Sequence, residues 1–203
     1  VFFVGNVMID TLLASRARAE ASTILERLNV APSGYAVLTL HRPANVDDPA
    51  VLGRLLDALE VIQRDMPIVF PVHPRTRQNL GRSALAGRVA GLAGLRLIEP
   101  AGYLDFLKLM ASARLVLTDS GGIQEETTIL GVPCLTLRDN TERPVTVEVG
   151  SNRLVGTDAA RILAAYGDIR DGRARPAAVP PLWDGQAAGR IVGILAEQLA
   201  AAP

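Results

Sequence analysis

The sequence is poor in features that mark several protein classes, and each absence narrows the reading. It has one cysteine, Cys134. No disulfide can form within the chain, and a reducing, cytoplasmic setting is expected. It has no excess of either charge, since 21 basic residues balance 21 acidic ones. That balance argues against a dedicated binder of nucleic acid or of an anionic membrane. No apolar run reaches the roughly 18 residues of a membrane-spanning helix. The opening VFFVGNVMIDTLL is apolar, but it has no basic leader and carries Asp10, so it does not read as a signal peptide. It also lacks an initiator methionine, and the chain reads as starting partway through a longer one. There is no short repeat of the solenoid kind.

What is present suits one sizeable globular domain with some chain left for linkers or tails. Of the 203 residues, 49% are hydrophobic and 21% charged, which excludes general disorder. Apolar runs at 35–40, 68–72, 95–98, 115–118 and 133–137 read as buried strands, with a weaker sixth at 153–155. Between and after them lie stretches expected to be helical: 49–63, 76–85, 103–112, a helix opening at the double glycine 121–122, 158–166 and 184–199. A further helix follows Gly5-Asn6, and 167–181, rich in Gly, Pro and Arg, reads as a connector. Continuous apolar strands alternating with helices predict an α/β, Rossmann-like parallel sheet of about six strands with helices on both faces.

In such a sheet, ligands bind outside the carboxyl ends of the strands. The residues just past the expected ends include His41-Arg42, His73, Asp119 to Gly122 and Arg138-Asp139. Both histidines of the chain fall at such positions. In LTDSGGIQEE, residues 117–126, free backbone amides at a glycine-rich helix start suit a phosphate or similar anion. The alternative is a tight turn capped by Asp119 or Ser120. It is neither a Walker loop nor a G-x-G-x-x-G motif. Glu125 and Glu126 project about 100° apart on a helix, so they do not face one ligand equally. One can accept from a ribose diol; by spacing alone, both read as surface residues. His41 can donate to a phosphate or move a proton, or it is a hydrogen-bonded structural histidine. His73 has the same two readings. Arg143 suits a bidentate phosphate contact, or a surface ion pair with Glu142 or Asp139. No metal-ligand spacing accompanies the histidines, and no cofactor is implied.

The segments VGNVMIDTLL, TLHRPANVDDP, PVHPRTR and the long run from Tyr103 to Gly156 together strongly resemble the non-hydrolysing UDP-N-acetylglucosamine 2-epimerases. The resemblance covers Val4 to about Gly156, and it is most specific from Thr118 onward. It implies one half, the second and UDP-binding half, of a two-domain glycosyltransferase-B-like fold. Residues 1–30 would be the linker from a first domain and a first helix, 31–170 the UDP-binding unit, and 171–203 a connector and C-terminal helix. The implied reaction interconverts UDP-GlcNAc and UDP-ManNAc: UDP is eliminated to leave a glucal, then added back with C2 inverted. It supplies nucleotide sugars for cell-surface polysaccharides.

The resemblance assigns phosphate contacts to Ser120 and Gly121, beside Gly122, and to Arg143. It assigns the ribose hydroxyls to Glu126, uracil to the backbone around Tyr103 and Phe106, and stabilisation of departing UDP to His41. Arg42 and His73 would line a neighbouring regulatory site. Ala44 stands where many members carry glutamate, so no catalytic acid is placed in that loop. The family is usually homodimeric, and this piece alone is expected to be inactive, since a cleft needs two walls. Two other readings remain from the sequence: the donor-binding half of a UDP-sugar glycosyltransferase, and a non-catalytic nucleotide-sugar sensor.

Overall fold

The computed structural model describes residues 1–82 and 84–200, and six short strands lie there in one sheet. They are β1 (Ala36–Thr39), β2 (Ile68–Pro71), β3 (Leu95–Ile98), β4 (Leu115–Thr118), β5 (Cys134–Thr136) and β6 (Asn152–Leu154). Their order is β3-β2-β1-β4-β5-β6, with every neighbouring pair parallel. Helices α1 (Val7–Glu20) and α2 (Ile24–Leu28) precede the sheet. The crossovers carry α3 (Pro43–Val46), α4 (Pro49–Asp65), α5 (Pro74–Arg82), α6 (Ala86–Gly91), α7 (Tyr103–Ala111), α8 (Gly121–Leu130) and α9 (Pro144–Glu148). After β6 come α10 (Ala159–Arg170) and α11 (Ala187–Ala200).

The central strands β1, β2 and β4 are apolar up to their last residue because both faces are covered, whereas Arg96 and Arg153 stand in the outer strands β3 and β6. Side chains alternate along a strand, and the alternation is visible residue by residue. Ala36 and Leu38 of β1, Ile68 and Phe70 of β2, and Leu115 and Leu117 of β4 enter one core cluster with α4 and α10. Val37, Val69 and Val116, the residues between them, enter the other with α1 and α7. In these central strands a polar residue has no place until the strand ends. The chain therefore places its chemistry past the strand ends. Winding starts at β1, proceeds outward through β2 to β3, then returns to set β4 on the other side of β1. The junction of β1 and β4, paired over four residues from Ala36↔Leu115 to Thr39↔Thr118, is where the strand order reverses.

The α/β class, the six strands and the two helix layers agree with the sequence. The expected strands run longer because Val72, Leu137 and Val155 each still donate one bond to the neighbouring strand, to Ile98, Thr118 and Thr136. Three differences have local causes. Helix α10 continues through Gly167 to Arg170, because Ile169 packs on the core and Asp168 pairs with Arg153 at 2.7 Å. The connector thus starts at 171 rather than 167. Helix α11 starts at Ala187 rather than Asp184, because its cap comes from far along the chain. Asp10 of α1 accepts the amides of Ala187 and Ala188 at 3.1 and 2.7 Å. Helix α5 starts two residues before the expected 76, and of the expected span position 83 lies outside the described residues, as do 201–203 of the C-terminal segment. The short helices α3, α6 and α9 carry no periodic signal at one or two turns.

Close approach is severe at Gly150. A Cβ there would lie 2.3 Å from Thr128 Oγ1 and 2.7 Å from the Thr146 carbonyl oxygen. Gly53, inside α4, has nothing within 4 Å of a Cβ. Gly150→Ala should therefore destabilise the chain by about 1–3 kcal/mol, while Gly53→Ala should stabilise it by roughly 0.5–1 kcal/mol. Urea denaturation of the two variants checks both signs; a neutral Gly150→Ala would contradict the packing.

Candidate functional site

The residues that follow β1 and β4 meet at the strand-order reversal around one carboxylate. Asp119, the first residue past β4, is fully buried. Its two oxygens accept the backbone amides of His41, at 3.1 and 3.2 Å, and of Arg42, at 2.9 Å. They also accept the Asn45 side-chain amide at 3.2 Å, and His41 Nδ1 lies 2.8 Å from Oδ1. Asn45 is itself buried and donates in addition to the Leu137 carbonyl at 3.1 Å, which ties in the end of β5. A buried carboxylate is costly unless hydrogen-bonded, and here each group facing it is a donor. The sequence offered Asp119 only as a helix cap. Its position immediately past a buried strand, at the reversal, was the available signal.

With Asp119 so occupied, α8 starts without a cap from it. Ser120 at the N-cap makes no side-chain cap either. The capped-turn alternative therefore fails, and the first amides of α8 stay available at the positive end of its dipole. A Cβ on Gly121 would meet nothing closer than Glu142 Oε2 at 3.9 Å, so this side is open. A Cβ on Gly122 would come within 3.1 Å of Met8 Cε, so the second glycine also lets α1 approach α8.

The reading of Glu125 and Glu126 as surface residues is overturned. They are only 4% and 8% exposed, within a run from Gln124 to Thr128 that is buried throughout. A QEETT run looks solvated in sequence; it is buried because α1, α7 and α9 surround α8. Glu125 holds the Arg143 Nε at 2.7 Å, which displaces Glu142 and Asp139 as the expected side-chain partners of Arg143. Burial raises the Glu125 pKa, while Arg143 and Asn6 oppose the rise. Glu126 has no such cation, and burial together with the adjacent Glu125 charge pushes its pKa up to about 7.

A buried polar network fixes the loop that carries Arg143. Gln124 Oε1 accepts from Thr141 Oγ1 at 2.6 Å and from Asn152 Nδ2 at 3.0 Å. Asn152 Nδ2 also reaches Thr146 Oγ1 at 3.0 Å, and that hydroxyl donates to the Arg143 carbonyl at 2.7 Å. Thr141 Oγ1 accepts the Arg143 amide at 2.9 Å. The half-exposed guanidinium is thus held from behind at its Nε and along its backbone.

The other predicted residues sit as follows. Tyr103, at the first turn of α7, is 41% exposed, and burial with the Glu126 charge raises its pKa. Phe106 packs partly into the core, and its amide is committed to the Gly102 carbonyl at 2.8 Å. Arg42 is bound through Nε to the Asp119 carbonyl at 2.9 Å and lies 3.9 Å from Glu142. It lines a cavity of about 590 Å³ with Asn45, Arg138, Glu142 and Thr157. His73 is exposed past β2, one strand further out, and its carbonyl accepts the Arg77 amide. Among the described residues no three His, Cys, Asp or Glu side chains gather to hold a metal ion, and no helix is long and apolar enough to cross a membrane.

The arrangement is an open helix start beside a cation, with a buried acid one turn into the helix. Comparison with known proteins places the chain in a family. The UDP-N-acetylglucosamine 2-epimerase of Methanocaldococcus jannaschii is 42% identical over 200 residues, 96% of this chain and 54% of the relative. That of Escherichia coli K12 is 38% identical over 210 residues, again 96% and 54%. The crystal structure of the M. jannaschii enzyme in complex with UDP-GlcNAc and UDP matches at a TM-score of 0.85 and 40% identity, covering 97% of this chain and 54% of that one. The chain thus spans about half the length of the curated relatives it matches, and its fold is one half of a two-domain, glycosyltransferase-B-like arrangement. The profile described as UDP-N-acetylglucosamine 2-epimerase matches residues 1–196, and the chain belongs to that family.

Proposed function

We propose that this chain is the UDP-binding half of a UDP-N-acetylglucosamine 2-epimerase. The observation that carries the reading is the uncapped start of α8 at the β1/β4 reversal, with Arg143 and His41 beside it and buried Glu126 one turn in. The diphosphate would lie on the Ser120 side chain and the amides of Gly121 and Gly122, since the Ser120 amide donates to Thr118 Oγ1 at 3.0 Å, with the Arg143 guanidinium completing its neutralisation. Glu126 would accept the two ribose hydroxyls. Uracil would lie against the backbone at the start of α7, around Tyr103 and Phe106.

Elimination moves an electron pair from the sugar C1–O bond onto the β-phosphate oxygen. Donors already aimed at that oxygen stabilise the charge as it develops; Arg143 and His41 fill this role. The glucal would stay in the cleft while UDP holds its place, then accept UDP at C1 with a proton returned to the opposite face of C2. The groups that move the C2 proton would come from a preceding domain. Val1, Phe2 and Phe3 at the amino end and Val192, Leu195 and Leu199 on α11 are exposed and would lie against it. Residues 1–30 would then be linker and first helix, 31–170 the UDP-binding unit, and 171–203 the connector and last helix. The intact protein would be a cytoplasmic homodimer supplying nucleotide sugar for cell-surface polysaccharide. Arg42 and the cavity beside it, with His73, would form the regulatory site.

Calorimetry with UDP tests the site. Glu126→Ala and Arg143→Ala should each weaken binding about ten- to hundredfold, the size of a lost charged hydrogen bond; unchanged affinity in both would remove the assignment. The raised Glu126 pKa gives a signed expectation. The ribose needs the ionised carboxylate, so lowering the pH from 8 to 6 should weaken UDP-GlcNAc binding about tenfold through Glu126. The sugar nucleotide's diphosphate diester keeps its charge over this range. Glu125 and Tyr103 face Glu126 from α8 and α7, and Arg143 is paired with Glu125. Histidine protonation acts in the opposite sense, so the comparison with Glu126→Gln isolates the effect. An identical pH profile in that variant would contradict it. The 203-residue chain should bind UDP yet form no UDP-ManNAc, whereas the protein with its preceding domain should form it without any acceptor. UDP release that depends on an acceptor would instead indicate a glycosyltransferase, and binding with no exchange of the C2 hydrogen in heavy water a sensor.

A further inference from the structure

We propose that Asp119 is a positioning residue for His41: it fixes a ring proton on Nδ1, turns Nε2 toward the departing phosphate, and stands behind the ring as counter-ion when Nε2 donates. The proposal rests on the reading of His41 as the residue that stabilises released UDP.

The pairing has one chemical solution. An ionised carboxylate has no proton to give, so the 2.8 Å contact requires the hydrogen on Nδ1. The usual ambiguity of an imidazole is removed by its neighbours. Asp119 Oδ2 is already taken by the Arg42 amide at 2.9 Å and by the Asn45 amide at 3.2 Å. The Asn45 orientation is itself settled, because its nitrogen lies between two acceptors, Asp119 Oδ2 and the Leu137 carbonyl. Every fixed group around the carboxylate is therefore a donor, and it cannot turn to present anything else to the ring. The Arg42 side chain grips the Asp119 carbonyl from the same loop at 2.9 Å, and Thr39 Oγ1 lies 2.6 Å from Thr118 Oγ1 just below. The two strand ends are thus bound to one another on both sides of the ring.

The consequence concerns the other nitrogen. The ring is more than half exposed while its anchor is fully buried, so Nε2 is the nitrogen left for a ligand. With Nδ1 protonated, a neutral ring offers only a lone pair at Nε2, which repels a phosphate oxygen. Only the imidazolium donates there. When His41 donates through Nε2 it does so with both nitrogens protonated and the Asp119 charge behind it, and no proton need leave the ring when UDP departs or returns. A histidine with its proton on Nε2 would donate while neutral and would need no carboxylate behind it.

Nitrogen-15 NMR of the histidine-labelled chain tests this directly. There are only two histidines, His41 and His73, and the signal lost in His41→Gln identifies the first. Above the histidine titration range, wild-type His41 should carry its proton on Nδ1, against the usual preference for Nε2. In Asp119→Asn, an amide nitrogen turned toward the ring, away from the three donors on Oδ2, should move the proton to Nε2. A wild-type His41 protonated on Nε2 would overturn the proposal, and this reading does not depend on whether the variant folds. Added UDP should shift the Nε2 signal while leaving Nδ1 protonated. UDP that binds without shifting Nε2 would overturn the role of His41 toward the phosphate while leaving the Asp119 pairing standing, so the two failures are distinguishable.

Discussion

The buried carboxylate of Asp119 is the constraint on which the rest of the site depends. It joins the end of β4 to the loop after β1 by four donors, and through Asn45 it joins both to the end of β5. Parallel strands end with their polar groups unmet, and in a doubly covered sheet those ends are the only place for polarity. Here the three central ends are tied to one another. One result is a rigid floor at the strand-order reversal. A second is that Asp119 is no longer available to cap α8, which leaves that helix start open for an anion.

The same economy governs the acids of α8. Two adjacent glutamates inside a protein repel each other and both lose water. The chain separates them by giving one a cation. Glu125 takes Arg143 from the neighbouring loop and stays in place behind it, while Glu126 is left with a pKa near 7. The first therefore belongs to the structure of the arginine, and the second has no cation paired with it. Gln124 and Asn152 then connect the base of α8 to the loop on either side of Arg143, so the cation's position follows from side chains that never reach the ligand.

Much of this was legible in the sequence, and the rest was hidden for physical reasons. Central strand positions were readable because both faces are buried and the run is apolar, as in AVL of β1 or LVL of β4. The strand-end rule then pointed to His41, Asp119 and the SGG turn. It did not reveal which of these meet, because contacts between residues 78 positions apart, such as His41 and Asp119, leave no trace in spacing. The burial of the QEETT run was invisible for a different reason. Polar residues inside a protein look like surface residues until their partners are known, and those partners, Thr141, Arg143, Thr146 and Asn152, come from the next crossover. The start of α11 was misplaced by three residues because its cap, Asp10, lies at the other end of the chain.

The central claim is that the β1/β4 reversal holds a nucleoside diphosphate against the open start of α8. A crystal structure of the chain soaked with UDP tests it most directly. The diphosphate should lie on the amides of Gly121 and Gly122 beside the Ser120 side chain, within reach of Arg143 and His41, with the ribose on Glu126. UDP bound elsewhere, or a diphosphate at this edge that avoids the α8 amides, would contradict the account.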